Sequence, residues 1–238
     1  MKDLPKDIGE IGINLTVEQN AQFSTYLDEL KSWNKRTNLT AIEEDNEIIS
    51  KHFFDSLSVL RAIPENAGTL ADVGTGAGFP GLPIKIARPN LKVTLIESVG
   101  KKVEFLKHIV QILKLEDVEV IQERAEEVGR DRRFREQFDV VTARAVAALP
   151  TLCEYALPLL RVGGVFVAQK GATPESGQAG EEEILGAQTA LEILGGKIVK
   201  KIPIYIEGVP ARQLIVIEKI KPTPVEYPRR RPDKPIKK

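Results

Sequence analysis

The stretch Asp72-Val73-Gly74-Thr75-Gly76-Ala77-Gly78-Phe79-Pro80-Gly81 decides how the rest of the chain is read. The apolar Leu70-Ala71-Asp72-Val73 runs into it, and the amphipathic Gly81-Leu82-Pro83-Ile84-Lys85-Ile86-Ala87 leads away, so the segment predicts strand, tight turn and helix. Glycines at the alternate positions 74, 76 and 78 let the backbone reach positive φ, and a ligand can approach the main chain with no Cβ in the way. A helix starting after Phe79 leaves amide donors unpaired, and Pro80 suits its first turn because its missing N–H costs nothing there. The stretch reads as a ligand-binding loop.

Two cofactor classes can be laid on it. A dinucleotide fingerprint G-x-G-x-x-G fits Gly76, Gly78 and Gly81, but its first glycine then lies beyond Gly74 instead of directly after the strand. Read from the strand end, the pattern is D-x-G-x-G-x-G, which fits S-adenosylmethionine better than a pyrophosphate. Glu97 closes the next expected strand, near the spacing of roughly 20 residues at which an acid holds ribose hydroxyls in either class. After the third expected strand come Ala125 and Glu126, a small residue followed by an acid, which leave room for an adenine ring and meet its amino edge.

Composition narrows the rest. Lys plus Arg and Asp plus Glu both number 34 in 238 residues, so net charge gives no hint of a polyanionic partner. The N-terminus MKDLPKDIGE is polar and no apolar run approaches a membrane span, so the expected compartment is the cytoplasm. The single Cys153 allows no internal disulfide, and His52 and His108 fall on different expected helices. Neither a metal site nor a Cys/His nucleophile is expected.

Along the chain, Thr16-Val17-Glu18-Gln19 forms a capping box ahead of Phe23, Tyr26, Leu27, Leu30 and Trp33 at helical spacing, predicting a helix to about Asn34. A second helix from Asn46 carries Ile49, Phe53, Leu57 and Leu60 on one stripe. His52 and Asp55 share its face; they are either a substrate- or cofactor-side pair or, more simply, a helix-surface hydrogen bond. After the glycine loop, strands at 92–97, 118–121, 138–143 and 164–169 alternate with helices at 101–114 and 149–161, and a helix at 181–194 precedes β-rich runs at 198–206 and 213–220. This predicts a Rossmann-like α/β fold, a mostly parallel seven-stranded sheet ending in an antiparallel hairpin, as in class I S-adenosylmethionine-dependent methyltransferases. That domain would span 65–221, between a helical extension at 1–64 and a basic, proline-rich tail or strap at 222–238. Ligands of such sheets bind beyond the carboxyl ends of the strands, so Arg144, closing the fourth strand, faces the methyl acceptor.

The motifs WNKRTNLT, HFFDSL, DVGTGAGFPGLPIKI, IESVGKKVEFL, RAE, DVVTARAV, QKG and YPRR together resemble the ribosomal small-subunit methyltransferase G family, bacterial 16S rRNA guanine-N7 methyltransferases. The tail departs from the resemblance after YPRR, reading RPDKPIKK. The resemblance implies an S-adenosylmethionine site comprising Gly74, Phe79, Ala125, Glu126 and Arg144, with Gly76 and Gly78 in the same loop and Glu97 on the ribose. The implied partner is 16S rRNA or the small-subunit particle, met by a monomer. Guanine N7 carries a free lone pair, so Arg144 would position the acceptor and no general base is expected. Candidate phosphate contacts are Lys101, Lys102, Lys170, Arg212, Arg229, Arg230 and Arg231, whereas the basic run at 130–135 reads as a solvated face. Competing readings are a methyltransferase of another RNA or of a small metabolite, a Rossmann oxidoreductase, and a non-enzymatic rRNA-binding assembly factor.

Overall fold

The computed structural model describes residues 13–171, 181–230, 232 and 236. Helix α1 (Val17–Thr37) starts at the expected capping box: Thr16 Oγ1 accepts from the Gln19 amide and Gln19 Oε1 accepts from the Thr16 amide. It runs past Asn34 and stops where Asn38 turns left-handed at φ 50°. The second helix, α2 (45–62), is not the single regular stripe expected. It opens as an α-turn (Asp45–Ile48), widens into a π-helix (Ile49–Phe54), recovers (Asp55–Leu57) and tightens into a 3₁₀ turn (Ser58–Ala62). The wide segment carries His52, and π-bulges inside helices are frequent at functional sites.

Seven strands follow: β1 (Thr69–Val73), β2 (Lys92–Glu97), β3 (Val118–Gln122), β4 (Phe138–Arg144), β5 (Leu160–Gly171), β6 (Gly196–Ile204) and β7 (Arg212–Lys219). Between them lie α3 (Gly81–Ala87), α4 (Gly100–Ile112), the single turn α5 (Ala125–Val128), α6 (Leu149–Ala156) and α7 (Glu181–Leu194). The order is β3-β2-β1-β4-β5-β7-β6, with β7 antiparallel to both of its neighbours and all other pairs parallel. The expected helix to Arg161 ends at Ala156 instead, because Pro158 cannot continue it and β5 starts at Leu160.

Burial on both faces explains the short apolar strands. Leu70, Val140, Val167 and Leu214 point to one side, against Phe23, Phe53, Leu82 and Phe105 of α1 to α4. Their neighbours Ala71, Val141, Phe166 and Ile215 point to the other, against Leu152, Cys153 and Leu191 of α6 and α7. The alternation continues through β7, so the helices before the glycine loop share one core with the sheet.

Residues 222–230, the continuous described part of the tail, lie on the domain as a strap. Arg135 donates to the carbonyls of Thr223, Pro224 and Tyr227, and Arg130 Nε donates to that of Pro228. The solvated-face reading of 130–135 is thereby corrected in part: Arg130 and Arg135 fasten residues 223–228, whereas Arg132 and Arg133, both exposed and the latter paired with Asp131, fit it.

Candidate active site

The glycine turn is held from three sides. Gly74, Gly76 and Gly78 all have positive φ, at 65°, 63° and 100°. The amides of Gly74 and Thr75 donate to Ile96 O of β2. Beneath them Asp72 is fully buried and accepts from Thr75 Oγ1 at 2.5 Å, Gly81 N at 2.8 Å and Thr142 Oγ1 at 3.2 Å. Burial pushes its carboxyl up to about 6, against the pull of those donors. From α1, the Tyr26 hydroxyl donates to Ala77 O, a tie between the helical extension and the loop that side-chain spacing did not reveal.

Glu97 sits where the loop meets β2. Its Oε2 accepts from Gly76 N at 3.0 Å and its Oε1 from Val99 N at 2.8 Å, so both oxygens are fixed while lone pairs remain for further donors. Beside it opens a cavity of about 170 Å³ lined by Gly74, Glu97, Ala125 and Glu126, four of the residues singled out from sequence. Tyr155 of α6 and Val146, from the loop after β4, also line it and were not anticipated. Val146 explains why position 74 is glycine: a Cβ there would come within 2.6 Å of Val146 Cγ2. A hydroxyl-bearing ribose and a flat base fit these groups, with Glu97 for the diol and the small Ala125 beside the buried Glu126 for the ring.

Arg144, Asp55 and His52 form a second cluster beyond β4. Arg144 Nη1 donates to Asp55 Oδ2 at 2.9 Å and to Lys51 O at 3.1 Å, and Nη2 lies 3.2 Å from His52 Nδ1. Burial and the adjacent guanidinium lower the His52 pKa to about 3, so the ring is neutral. With Nδ1 accepting from Arg144, the proton sits on Nε2 and is donated to Thr40 Oγ1 at 2.8 Å. The simpler expectation for His52 and Asp55 is therefore corrected. They make no surface hydrogen bond with each other; both face Arg144, and Asp55 is only 1% exposed. Burial raises the Asp55 carboxyl, opposed by Arg144 and by Arg212, whose Nε lies 3.7 Å from Oδ1.

Phe79 joins the two clusters from below. Its ring stacks on His52 at 4.6 Å and on Tyr26 at 5.5 Å, with the Arg144 guanidinium carbon 5.1 Å from its centroid. It is buried, so its part is to support Arg144 and the loop rather than to line the cavity. The basic candidates separate. Lys101 and Arg230 are exposed and Lys102 is half-buried. Lys170 pairs with Glu183 at 2.6 Å and donates to Ala147 O. Arg229 as a free phosphate contact is corrected, because its guanidinium and amide are both bonded to Glu154, which is wholly buried. Arg231 lies outside the described residues.

This geometry has relatives. Residues 19–201 match the family model for rRNA small subunit methyltransferase G. The chain is 51% identical over 218 residues to the ribosomal RNA small subunit methyltransferase G of Roseiflexus castenholzii, covering 92% of this chain and 91% of that one. It is 48% identical to that of Alkaliphilus metalliredigens, with 96% and 94% covered. Among solved structures, M. jannaschii TYW2 in complex with AdoMet superposes with a TM-score of 0.54 at 18% identity, covering 76% of this chain and 80% of that one. A geranyl diphosphate methyltransferase in complex with SAM gives 0.53 at 15% identity, covering 71% and 85%. At such identities the structural likeness establishes the Rossmann-like α/β fold of methyltransferases, whereas the sequence relatives, near one half identical over nearly the full length, establish more: the chain belongs to the rRNA small subunit methyltransferase G family.

Proposed function

We propose that this rRNA methyltransferase moves the methyl group of S-adenosylmethionine to N7 of one guanine in 16S rRNA. One observation carries the reading. At the carboxyl edge of the sheet, Glu97 and the glycine loop form an adenosine-type pocket, and on the other side of that loop Arg144 is locked in place with donors to spare.

S-adenosylmethionine, when bound, supplies a methyl group on a positively charged sulfur, open to attack by a lone pair. The chain's own residues bind and orient. Glu97 accepts from ribose hydroxyls, Ala125 and Glu126 take the adenine, and Gly74 and Gly76 keep the main chain open to the ligand. A guanidinium has five N–H donors. Three of those on Arg144 go to Asp55, Lys51 and His52, so the remaining two can reach O6, the acceptor beside N7 on the base. The Arg144–Asp55 pair is neutral as a unit, so it places no net charge against the cation that forms on N7-methylguanine. N7 carries no proton, so no side chain has to remove one, and positioning supplies most of the rate. In an A-form helix N7 faces a deep, narrow groove, so the target is a loop or an opened segment.

The test is incubation of methyl-labelled S-adenosylmethionine with small-subunit rRNA that lacks the modification, followed by chemical strand scission specific for N7-methylguanine. Label at a single guanine that becomes a scission site supports the proposal. Label on a ribose, on an exocyclic amine or nowhere overturns it.

A further inference from the structure

Asp55 Oδ1 and Gln169 Oε1 are buried side-chain oxygens with no hydrogen-bond partner, the two such atoms among the described residues. They occur together. Gln169, near the carboxyl end of β5, is in register with Arg144 of β4, and its Nε2 donates to the main-chain oxygen of Asp55 at 2.6 Å. That bond fixes the amide orientation, since a flip would set oxygen against oxygen. Asp55 is held from the other side by Arg144 on Oδ2, so Oδ1 is the oxygen left over. Arg212 approaches Oδ1 only to 3.7 Å, beyond hydrogen-bonding range, and its side chain remains 29% exposed.

An unsatisfied buried acceptor is costly, and two at one strand edge call for donors. The same edge already presents donors from Arg144. A ligand complementary to both must carry acceptors on one side and donors on another. Guanine does: N7 and O6 accept, while N1–H and the 2-amino group donate. Adenine offers an acceptor at N1 and no 2-amino group, so it would leave both oxygens unsatisfied.

We infer that Asp55 and Gln169 form the acceptor pair that reads the target base, Asp55 Oδ1 taking N1–H and Gln169 Oε1 the 2-amino group, with Arg212 displaced from Asp55 as the base enters. The inference rests on the guanine-N7 reading above and deepens it by assigning base selectivity. Arg212, released from Asp55, keeps its charge at the mouth of the site, where the phosphates of the entering nucleotide lie.

The experiment replaces the methylated guanine by inosine, which keeps N7, O6 and N1–H but lacks the 2-amino group. Single-turnover methyl transfer is measured on both rRNAs with the wild-type chain, Gln169→Met and Gln169→Glu. The wild type should favour guanine by at least about tenfold, the discrimination expected of a base-edge hydrogen-bond pair. Gln169→Met, which removes the acceptor, should lower that ratio severalfold, and Gln169→Glu, which keeps it, should retain it. Folding of each variant is checked by its melting shift with S-adenosylmethionine. Equal wild-type rates on guanine and inosine overturn the inference even if neither variant folds, and so does an unchanged ratio in folded Gln169→Met. Transfer to neither rRNA by the wild type would instead remove the guanine-N7 reading beneath it.

Discussion

The two halves of the carboxyl edge are built differently. On the β1–β2 side, the contacts within the loop and to β2 are short in sequence: Asp72 to Thr75 spans 3 residues, Asp72 to Gly81 spans 9 and Gly76 to Glu97 spans 21, with Thr142 and Tyr26 adding longer ties from outside. On the β4–β5 side they are long: Arg144 reaches back 89 residues to Asp55, and Gln169 reaches back 114. The first half is mainly backbone and glycine, open to a nucleoside that many proteins bind. The second is side chain on side chain, closed around one arginine, and it is where a particular acceptor would be told from others.

The sharpest way to break this division is Arg144→Ala. Methyl transfer should fall by about 100- to 1000-fold, the scale seen when one fixed transition-state donor is removed. The melting shift with S-adenosylmethionine should persist, and a shift that vanished would mean that the halves are not separate. Removing the guanidinium also leaves the buried Asp55 short of a partner, so stability should fall by about 3 kcal/mol.

Next in size is a contrast within the cofactor half. A Cβ on Gly78 would lie 2.4 Å from Leu82 Cδ1 and 2.5 Å from the Tyr26 hydroxyl at φ 100°, whereas one on Gly76 meets only a main-chain oxygen at 4.0 Å. Gly78→Ala should therefore destabilise by about 2–4 kcal/mol and Gly76→Ala by about 1 kcal/mol, read from denaturant midpoints. Equal costs would show that the turn is not wedged between α1 and α3.

Glu97→Gln keeps one acceptor but can no longer take a proton donor on both arms. Affinity for S-adenosylmethionine should drop about tenfold with little change in the rate at saturation, measured by calorimetry and single turnover. A rate loss at saturation would move Glu97 into the acceptor half.

An effect of similar size concerns pH. The Asp72 carboxyl titrates near 6 in the folded chain against an ordinary value of 3.8, so the native state holds the proton more tightly than the unfolded one. Its favourable contribution is present below the ordinary value, declines as pH rises toward the folded value and is lost above it. In Asp72→Asn, Oδ1 can still accept from Thr75 and Gly81 while the new amide donates to the Thr142 hydroxyl. That variant should be more stable than wild type above about pH 6, by about 1–3 kcal/mol in unfolding free energy, and lose the advantage near about pH 4. A difference independent of pH would show that Asp72 is not the titrating group.

The same contrast explains what could be read without coordinates. The β/α alternation, the hairpin and the glycine loop follow from local periodicity and turn chemistry, and the loop with Glu97, Ala125 and Glu126 was legible because each member sits at or just past the end of a strand that local periodicity marks. Arg144 could be placed at a strand end, but its partners could not, since nothing local says that His52, in a π-helical turn, and Asp55, just after it, both face Arg144. Basic residues were the least legible. Arg135 and Arg229 look like any surface arginine until Thr223, Tyr227 and the buried Glu154 are seen beside them. Charge in a sequence says little about whether a partner waits inside the fold.

The most direct test of the divided edge is a crystal structure with S-adenosylhomocysteine. The ribose should lie on Glu97, the adenine between Ala125 and Glu126, and the sulfur toward Arg144, with Arg144 still bonded to Asp55. Nucleoside density at any other place, or an Arg144 drawn away from Asp55 onto the cofactor's carboxylate, would contradict the account.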